Sequence, residues 1–443
     1  MSAAADKPPA DLAGWLGYLE RLHPKSIAMG LERVRAVYER LDVAPTCPVI
    51  TVGGTNGKGS TCAMADAILR AAGYRVGVYS SPHLLRYNER IVINGCETGD
   101  DDIVAAFEHV EHARMASDAP VPLTYFEFGT LAALWLFARA KLDAVILEVG
   151  LGGRLDAVNI IDADVAVLTS VDLDHQDYLG DTREAIGYEK AGIFRAQRPA
   201  ICGDPNPPQS VVDHASAIGA FLLRLGVDYA YGAQSSQWNY RGPGGARSGL
   251  PYPALRGAYQ LGNAATVLAA LGSLKDRLVV SAGAVRDGLV TVTLPGRFMV
   301  LPGRPTIVLD VAHNPHAARA LADALGAMGF HPTTMAVVGM FADKDIDGVI
   351  AAMRGRVDRW YVAPLPGPRG ADSATLAAKL HSAGVPASDV RTFADVVSAY
   401  RAATERANEA DRIVVFGSFL TVAAALAVGS PRASHRIVAP PKH

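Results

Sequence analysis

Residues 47–60 read Cys47-Pro48-Val49-Ile50-Thr51-Val52-Gly53-Gly54-Thr55-Asn56-Gly57-Lys58-Gly59-Ser60. Cys47 to Val52 is rich in β-branched residues and predicts a strand. Thr61 to Ala72 has helical composition and stops at Gly73, a good C-cap. A strand, a glycine-rich turn with Gly57-Lys58 and a helix form the layout of a phosphate loop. Backbone N–H groups and the helix dipole hold phosphate oxygens there, and the lysine adds a mobile charge. Two positions depart from the strict pattern. Val52 stands where the first glycine would be, and Gly59 follows the lysine, leaving hydroxyls only at Ser60 and Thr61. A bland glycine turn is the alternative, but the strand before and the helix after favour nucleotide binding.

Working outward, the first forty residues read as helical, with an amphipathic segment from Gly30 to Leu41. Strands are predicted at Arg75–Tyr79, Ala144–Val149 and Val165–Thr169, and helices at Asp101–Met115 and Glu127–Ala140. Continuous apolar strands alternating with helices signal a parallel sheet covered on both faces. From Phe221 to Pro253 the texture becomes short, polar and Gly- and aromatic-rich, a hairpin excursion, before a helix at Gln260–Ser273. The punctuated stretch Leu294-Pro295-Gly296-Arg297, followed by Pro302-Gly303, reads as a hinge. Beyond it strands recur at Thr306–Val311, Met335–Val338, Trp360–Val362 and Ile413–Phe416. The fold class is therefore α/β: a P-loop-containing, mainly parallel-sheet domain over residues 1–296 and a smaller Rossmann-like α/β domain over 297–443.

Composition narrows the function. Half of the 443 residues are hydrophobic, and 42 Lys+Arg against 44 Asp+Glu leave a net charge of −2. That balance, with no basic run, argues against nucleic acid as a partner. Cys47, Cys62, Cys96 and Cys202 are dispersed without a CxxC pair, which suits a reducing cytoplasm. Met1–Ala10 has no apolar core of a signal peptide, and the tail after Pro431 is basic and Pro-containing. The uncharged run Ile413–Gly429 approaches the roughly 17–25 residues of a membrane span. It reads better as a strand, a Gly417-Ser418 break and a buried alanine-rich helix, so no membrane is expected.

Candidate chemistry clusters at the carboxyl ends of strands, where open α/β sheets bind ligands. Glu148 ends an apolar strand, and burying its carboxylate demands a metal or cation nearby; a salt-bridged or solvated strand end is the alternative. Gly150-Leu151-Gly152-Gly153 lacks the third glycine of a dinucleotide fingerprint, with Leu155 in its place, and reads as a loop bending past a ligand or metal. Asp172, Asp174, His175 and Asp177 follow the next strand; composition does not choose among them as ligands, and Asp-rich loops are often caps and turns. Asp310-Val311-Ala312-His313-Asn314-Pro315 forms a strand-to-helix turn with Asn314 as N-cap and Pro315 as first helical residue, so Asp310 and His313 either bind a ligand or fix the turn. Lys190 by pattern is an ordinary solvated helix end. No hydrolase nucleophile motif, kinase signature or HExxH helix is present.

Taken together, the motifs resemble the folylpolyglutamate synthases: Gly54-Thr55-Asn56-Gly57-Lys58-Gly59-Ser60, Ser80-Ser81-Pro82-His83-Leu84, Glu148 through Ala157, Leu173-Asp174-His175, Glu189-Lys190-Ala191-Gly192-Ile193, Pro295-Gly296-Arg297, Asp310 through Pro315 and Phe416-Gly417-Ser418-Phe419. They run in family order from about residue 20 to 425. The Gly-Thr-Asn-Gly-Lys loop alone is shared with the muramyl-peptide ligases, and both departures from the strict phosphate-loop pattern are the family's own form.

The resemblance implies roles for single residues. Gly57, Lys58, Gly59 and Ser60 would hold the ATP phosphates, and Asn263, Arg297 and Asp310 would contact the nucleotide between the domains. Ser81, Glu148 and His175 would bind Mg²⁺, two ions in all, with K⁺ as a further cation, and Lys190 would carry a CO₂-derived carbamate. His313 and Ser418 would lie near the incoming glutamate. Leu123-Thr124-Tyr125-Phe126-Glu127 looks like the bifunctional bacterial members, where it borders the dihydropteroate pocket; Ala28, Met29, Gly30, Leu31, Leu155, Asp156 and Ala157 would complete that pocket. Tyr259-Gln260-Leu261-Gly262 departs from the His-Gln of many members. The implied reaction phosphorylates a carboxylate of 7,8-dihydropteroate or tetrahydrofolate with ATP, and the amine of L-glutamate then displaces phosphate; the enzyme would be a monomer. The rivals are a muramyl-peptide ligase, against which stands the lack of an additional N-terminal UDP-binding domain, and a nucleotide-dependent switch that hydrolyses ATP slowly.

Overall fold

The computed structural model describes residues 9–25, 27–116 and 119–429; the stretch before residue 9 and the tail after Pro431 lie outside them. It is an α/β protein of two compact units. One comprises residues 1–254 and 259–293, the other residues 255–258 and 294–443.

The first unit holds an eight-stranded sheet: β1 (Val49–Gly53), β2 (Val76–Tyr79), β3 (Ile91–Ile93), β4 (Cys96–Glu97), β5 (Ala144–Glu148), β6 (Val165–Leu168), β7 (Pro199–Cys202) and β8 (Phe221–Arg224). Their spatial order is β4-β3-β2-β5-β1-β6-β7-β8. All neighbours are parallel except the β2-β3 and β3-β4 pairs. Strand β1 is central, with Val52 paired to Glu148 on one side and to Val167 on the other. The loops leaving β1, β5 and β6 therefore emerge side by side at one sheet edge. The central strands are buried along their whole length, as their unbroken apolar runs require.

Phe221–Arg224 joins this sheet as its eighth strand, so the excursion expected from Phe221 begins later. What remains of it is a three-stranded antiparallel sheet of β9 (Ala230–Ala233), β10 (Trp238–Gly242) and β11 (Gly245–Leu250). The helices Lys58–Ala71 and Ala282–Thr291 pack so closely that a Cβ on Gly288 would fall 2.5 Å from Ile68 Cα. Gly288→Ala is expected to destabilise this unit by about 1–3 kcal/mol, checked by denaturant unfolding.

The second unit has six strands in the order β12-β13-β17-β14-β15-β16. They are β12 (Met299–Leu301), β13 (Thr306–Leu309), β14 (Thr334–Val338), β15 (Arg359–Val362), β16 (Val390–Thr392) and β17 (Arg412–Phe416), parallel except for β12. Asn314 caps the helix Pro315–Gly326, its side chain accepting from Ala317 N. Residues 413–429 form a strand, a break and a short helix, and no helix of the described residues is long and apolar enough to cross a membrane. All four cysteines are free.

Candidate active site

The phosphate loop is fastened from the neighbouring strand. Thr169 Oγ1 donates to Asn56 O at 2.6 Å and to Gly53 O at 3.2 Å, Thr55 N donates to Ser170 O at 2.8 Å, and Asn56 N donates to Ser170 Oγ at 3.1 Å. Gly54, at φ +143°, lies against this clamp: a Cβ there would sit 1.9 Å from Thr169 Oγ1. Gly57, at φ +87°, faces the Asn263 side chain, and Gln260 links Ser60 Oγ (3.2 Å) to Asn263 Nδ2 (3.0 Å). Contacts with the rest of the protein thus hold the loop's shape. Lys58 Nζ donates to Gly54 O at 2.9 Å and Thr55 O at 3.2 Å, at the start of its helix.

Glu148 is buried at the end of β5 and accepts a hydrogen bond from Ser81 N at 3.3 Å, so the solvated-strand-end alternative is set aside. Lys190 corrects the pattern-based reading more sharply. It is 5% exposed, and its Nζ donates to Gly54 O at 3.1 Å. Desolvation first, and the charge of Lys58 second, lower its ammonium from 10.5 to about 7 against the opposing pull of Asp174 and Asp156. The burial comes from residues distant in sequence. A Cβ on Gly153 would touch Lys190 O at 2.8 Å, and Arg154 N donates to Glu189 O at 2.8 Å, so the 150–154 loop covers the helix end. His175 stands on the loop after β6 with a left-handed backbone, φ 51°, and its N donates to Asp174 Oδ1 at 2.9 Å. Thr55 Oγ1 and Asp172 exchange hydrogen bonds of 3.0–3.1 Å, tying that loop to the phosphate loop.

Beside this corner the remaining first-unit candidates form a pocket wall. Thr124 and Glu127 make a capping box at the start of the helix Tyr125–Arg139. Arg33 pairs with Glu127 at 2.8 Å and donates to Ala28 O at 2.7 Å, joining the 28–30 segment to that helix. A Cβ on Gly150 would lie 2.7 Å from the Phe126 ring, and one on Gly152 would lie 3.7 Å from Met29 Cε. Leu155 leads into Asp156, and the Asp156 carboxylate, fully enclosed, accepts from Leu151 N and Val158 N beside Ala157.

Burial raises Asp156 from 3.8 to about 7, opposed by backbone N–H groups and Lys58. The folded state keeps a proton that the unfolded chain loses between those values, so stability falls as pH rises from about 4 to 7. Asp156→Asn removes that slope. The difference in melting temperature between variant and parent is expected to move in the variant's favour across the window and level off above it, measured by thermal scans at stepped pH.

In the second unit, Asp310 is buried and accepts from Phe298 N and Ala312 N, both at 2.8 Å. Burial pushes its carboxyl up while Arg297 draws it down. Gly417 N donates to Ala312 O at 2.9 Å, joining the loops after β13 and β17. Arg297 lies 5.0 Å over the Phe419 ring, His313 is 6.4 Å from the same ring, and Ser418 caps the helix Phe419–Val428. The named candidates thus gather in two groups, one per unit. Thr169, Ser170, Gln260, Arg33 and Phe419 join them with no sequence signal of a role, although Phe419 and Gln260 lie within the stretches set against the family's motifs.

A phosphate loop, a buried acidic strand end and a buried lysine on one sheet edge suit ATP-driven activation of an acid. Comparison with known proteins agrees. The Mur ligase middle domain matches residues 52–207, and the Mur ligase glutamate ligase domain matches residues 296–419. The chain is an ATP-dependent, amide-forming ligase of the Mur ligase type. The dihydrofolate synthase/folylpolyglutamate synthase of Escherichia coli K12 is 49% identical over 424 residues, 96% of either chain, and that of Haemophilus influenzae is 43% identical over 439 residues, 94% of this chain and 97% of the other. The structure of E. coli FolC in complex with DHPP and ADP superposes with a TM-score of 0.89 at 48% identity, covering 96% of this chain and 99% of that one. A bifunctional folylpolyglutamate synthase/dihydrofolate synthase with Mn, AMPPNP and L-glutamate bound gives 0.87 at 50% identity, covering 95% and 99%. This chain belongs to the dihydrofolate synthase/folylpolyglutamate synthase family.

Proposed function

We propose that this enzyme, a cytoplasmic monomer, joins L-glutamate to 7,8-dihydropteroate and also to tetrahydrofolate and its glutamylated forms, each through an acyl phosphate. The observation that carries the reading is the convergence of Lys58, Glu148 and Lys190 on one sheet edge, next to the wall built by Met29, Phe126 and Asp156. A carboxylate is a poor acylating agent, whereas an acyl phosphate has a good leaving group. Gly57, Lys58, Gly59 and Ser60 hold and neutralise the transferring phosphoryl group, while Asn263, Arg297 and Asp310 orient the nucleotide. Loss of phosphate follows attack by the glutamate amine, near which His313 and Ser418 stand. Thr124, Tyr125, Phe126, Glu127, Ala28, Met29, Gly30, Leu155, Asp156 and Ala157 seat the pterin and benzoyl rings.

The residues present fit a divalent metal: Glu148 is a buried carboxylate beside Ser81, and His175 follows on the adjoining loop. When bound by Ser81, Glu148 and His175, Mg²⁺ would supply positive charge at the phosphoryl oxygens. Lys190 would complete this shell as a carbamate: its nitrogen forms a bond to the carbon of CO₂ and a proton leaves to solvent, replacing a repelling ammonium by an anionic oxygen pair. The amine lowered to about 7 supports this, since a large fraction is neutral at physiological pH.

Phosphate release from ATP with Mg²⁺ and L-glutamate, with and without K⁺ and bicarbonate, tests the proposal. Release with both dihydropteroate and tetrahydrofolate, each requiring glutamate, is expected. Release with tetrahydrofolate alone would reduce the activity to polyglutamylation, and silence with both would end the folate reading.

A further inference from the structure

The segment between β2 and β3 is held in a defined shape by two adjacent charged residues. The Glu89 carboxylate accepts from Leu84 N, Leu85 N and Arg86 N at 2.6, 2.7 and 2.8 Å, and Ser80 N donates to Arg90 O at 3.0 Å. Glu89 is therefore committed to the loop and does not pair with its neighbour. Arg90 instead donates through Nε to His83 Nδ1 at 2.8 Å. Its guanidinium carbon lies 5.5 Å from the ring centroids of both Tyr87 and Tyr125, whose own rings are 5.8 Å apart.

Among the described residues Arg90's one side-chain hydrogen bond is the Nε bond to His83, with no carboxylate in an ion pair and no acceptor on its Nη groups. A half-buried guanidinium, lying against two aromatic rings with its Nε edge on His83 and no paired carboxylate, is suited to receive a planar anion in a two-pronged contact. Its position says which anion. Tyr125 opens the helix whose Phe126 faces Gly150, and Ser81, nine residues earlier in the chain, meets Glu148. Arg90 thus stands between the aromatic pocket wall and the phosphoryl corner, where an acid bearing an aromatic body places its carboxylate.

We propose that Arg90 is a substrate-binding residue that takes the carboxylate of the acid to be activated, the acyl donor. The assignment rests on the folate reading above. Tyr87 and Tyr125 flank the guanidinium, and His83 holds its Nε edge, leaving the Nη edge for the ligand.

The test measures dissociation constants by calorimetry on the full chain with ADP present. The probes are 7,8-dihydropteroate and the same pterin–aniline compound lacking the carboxylate. Arg90→Gln is expected to weaken dihydropteroate roughly ten- to hundredfold, as for loss of a charged hydrogen-bond pair. The decarboxylated compound should be unaffected within about threefold, and ADP binding, the check on folding, unchanged. Arg90→Lys, which keeps the charge but not the planar fork, should fall between parent and Arg90→Gln for dihydropteroate alone. Equal weakening of both probes would make Arg90 a purely structural support, and no change in either would also overturn the assignment. A parent protein that binds ADP but neither pterin compound would instead bring down the folate reading, and this assignment with it.

Discussion

Lys58→Ala is expected to cut glutamate-dependent phosphate release by roughly 10³-fold or more while leaving the fold intact. On the proposed role the loss is large because the ammonium would act where negative charge concentrates, at the transferring phosphoryl group. The structural cost is small. Among the described residues Lys58 Nζ makes hydrogen bonds to Gly54 O and Thr55 O alone, in a loop independently held by Thr169 and Ser170, so unfolding should change by about 1 kcal/mol. The measurement is phosphate release beside a thermal scan. A variant that kept parental rates would remove Lys58 from the phosphoryl site, and one that failed to fold would give the loop a structural role that its hydrogen bonds do not indicate.

Lys190→Ala is expected to lose activity to a similar extent, for a different reason. At its ordinary value of 10.5, only about one amine in several thousand would be neutral at pH 7 and free to react with CO₂. Burial, with the charge of Lys58, brings the group to about 7, which on the carbamate proposal would supply the nucleophile. Alanine removes the anchor for the carbamate, so a small carboxylic acid such as acetate, entering the space vacated by the side chain, should restore part of the rate. Recovery that rises with acetate and is absent in parallel titrations of Lys58→Ala separates a missing carboxylate from a general loss of folding. Activity independent of both bicarbonate and Lys190 would sink the carbamate.

Much of the architecture was legible because its signals are local. The central strands β1, β5 and β6 are uniformly apolar, and Gly73, Asn314 and Pro315 mark helix ends by backbone chemistry of their own. Short peripheral strands were not: Ile91–Ile93, Cys96–Glu97, Met299–Leu301 and Val390–Thr392 are strands because a neighbour offers backbone to pair with, not because of their composition. Phe221–Arg224 was placed in the wrong substructure for the same reason, since its Phe221 is exposed and its pairing is with Pro199–Cys202. In the site, the phosphate loop announced itself through spacing. Lys190 did not, because the loop that covers it, at Gly153, and the charge that lowers its ammonium, on Lys58, lie outside any window around residue 190. The Arg33–Glu127 pair spans 94 positions and has no local signature either.

The clamp on the phosphate loop has a consequence for nucleotide affinity. Fixing a loop residue costs about 1–2 kcal/mol of conformational entropy. Here the hydroxyls of Thr169 and Ser170 meet that cost when β6 takes its place beside β1. ATP affinity and the local stability of β6 are therefore linked quantities: loosening this strand end would lower the fraction of molecules competent to receive phosphate, and would weaken nucleotide binding with every atom that touches the nucleotide left in place.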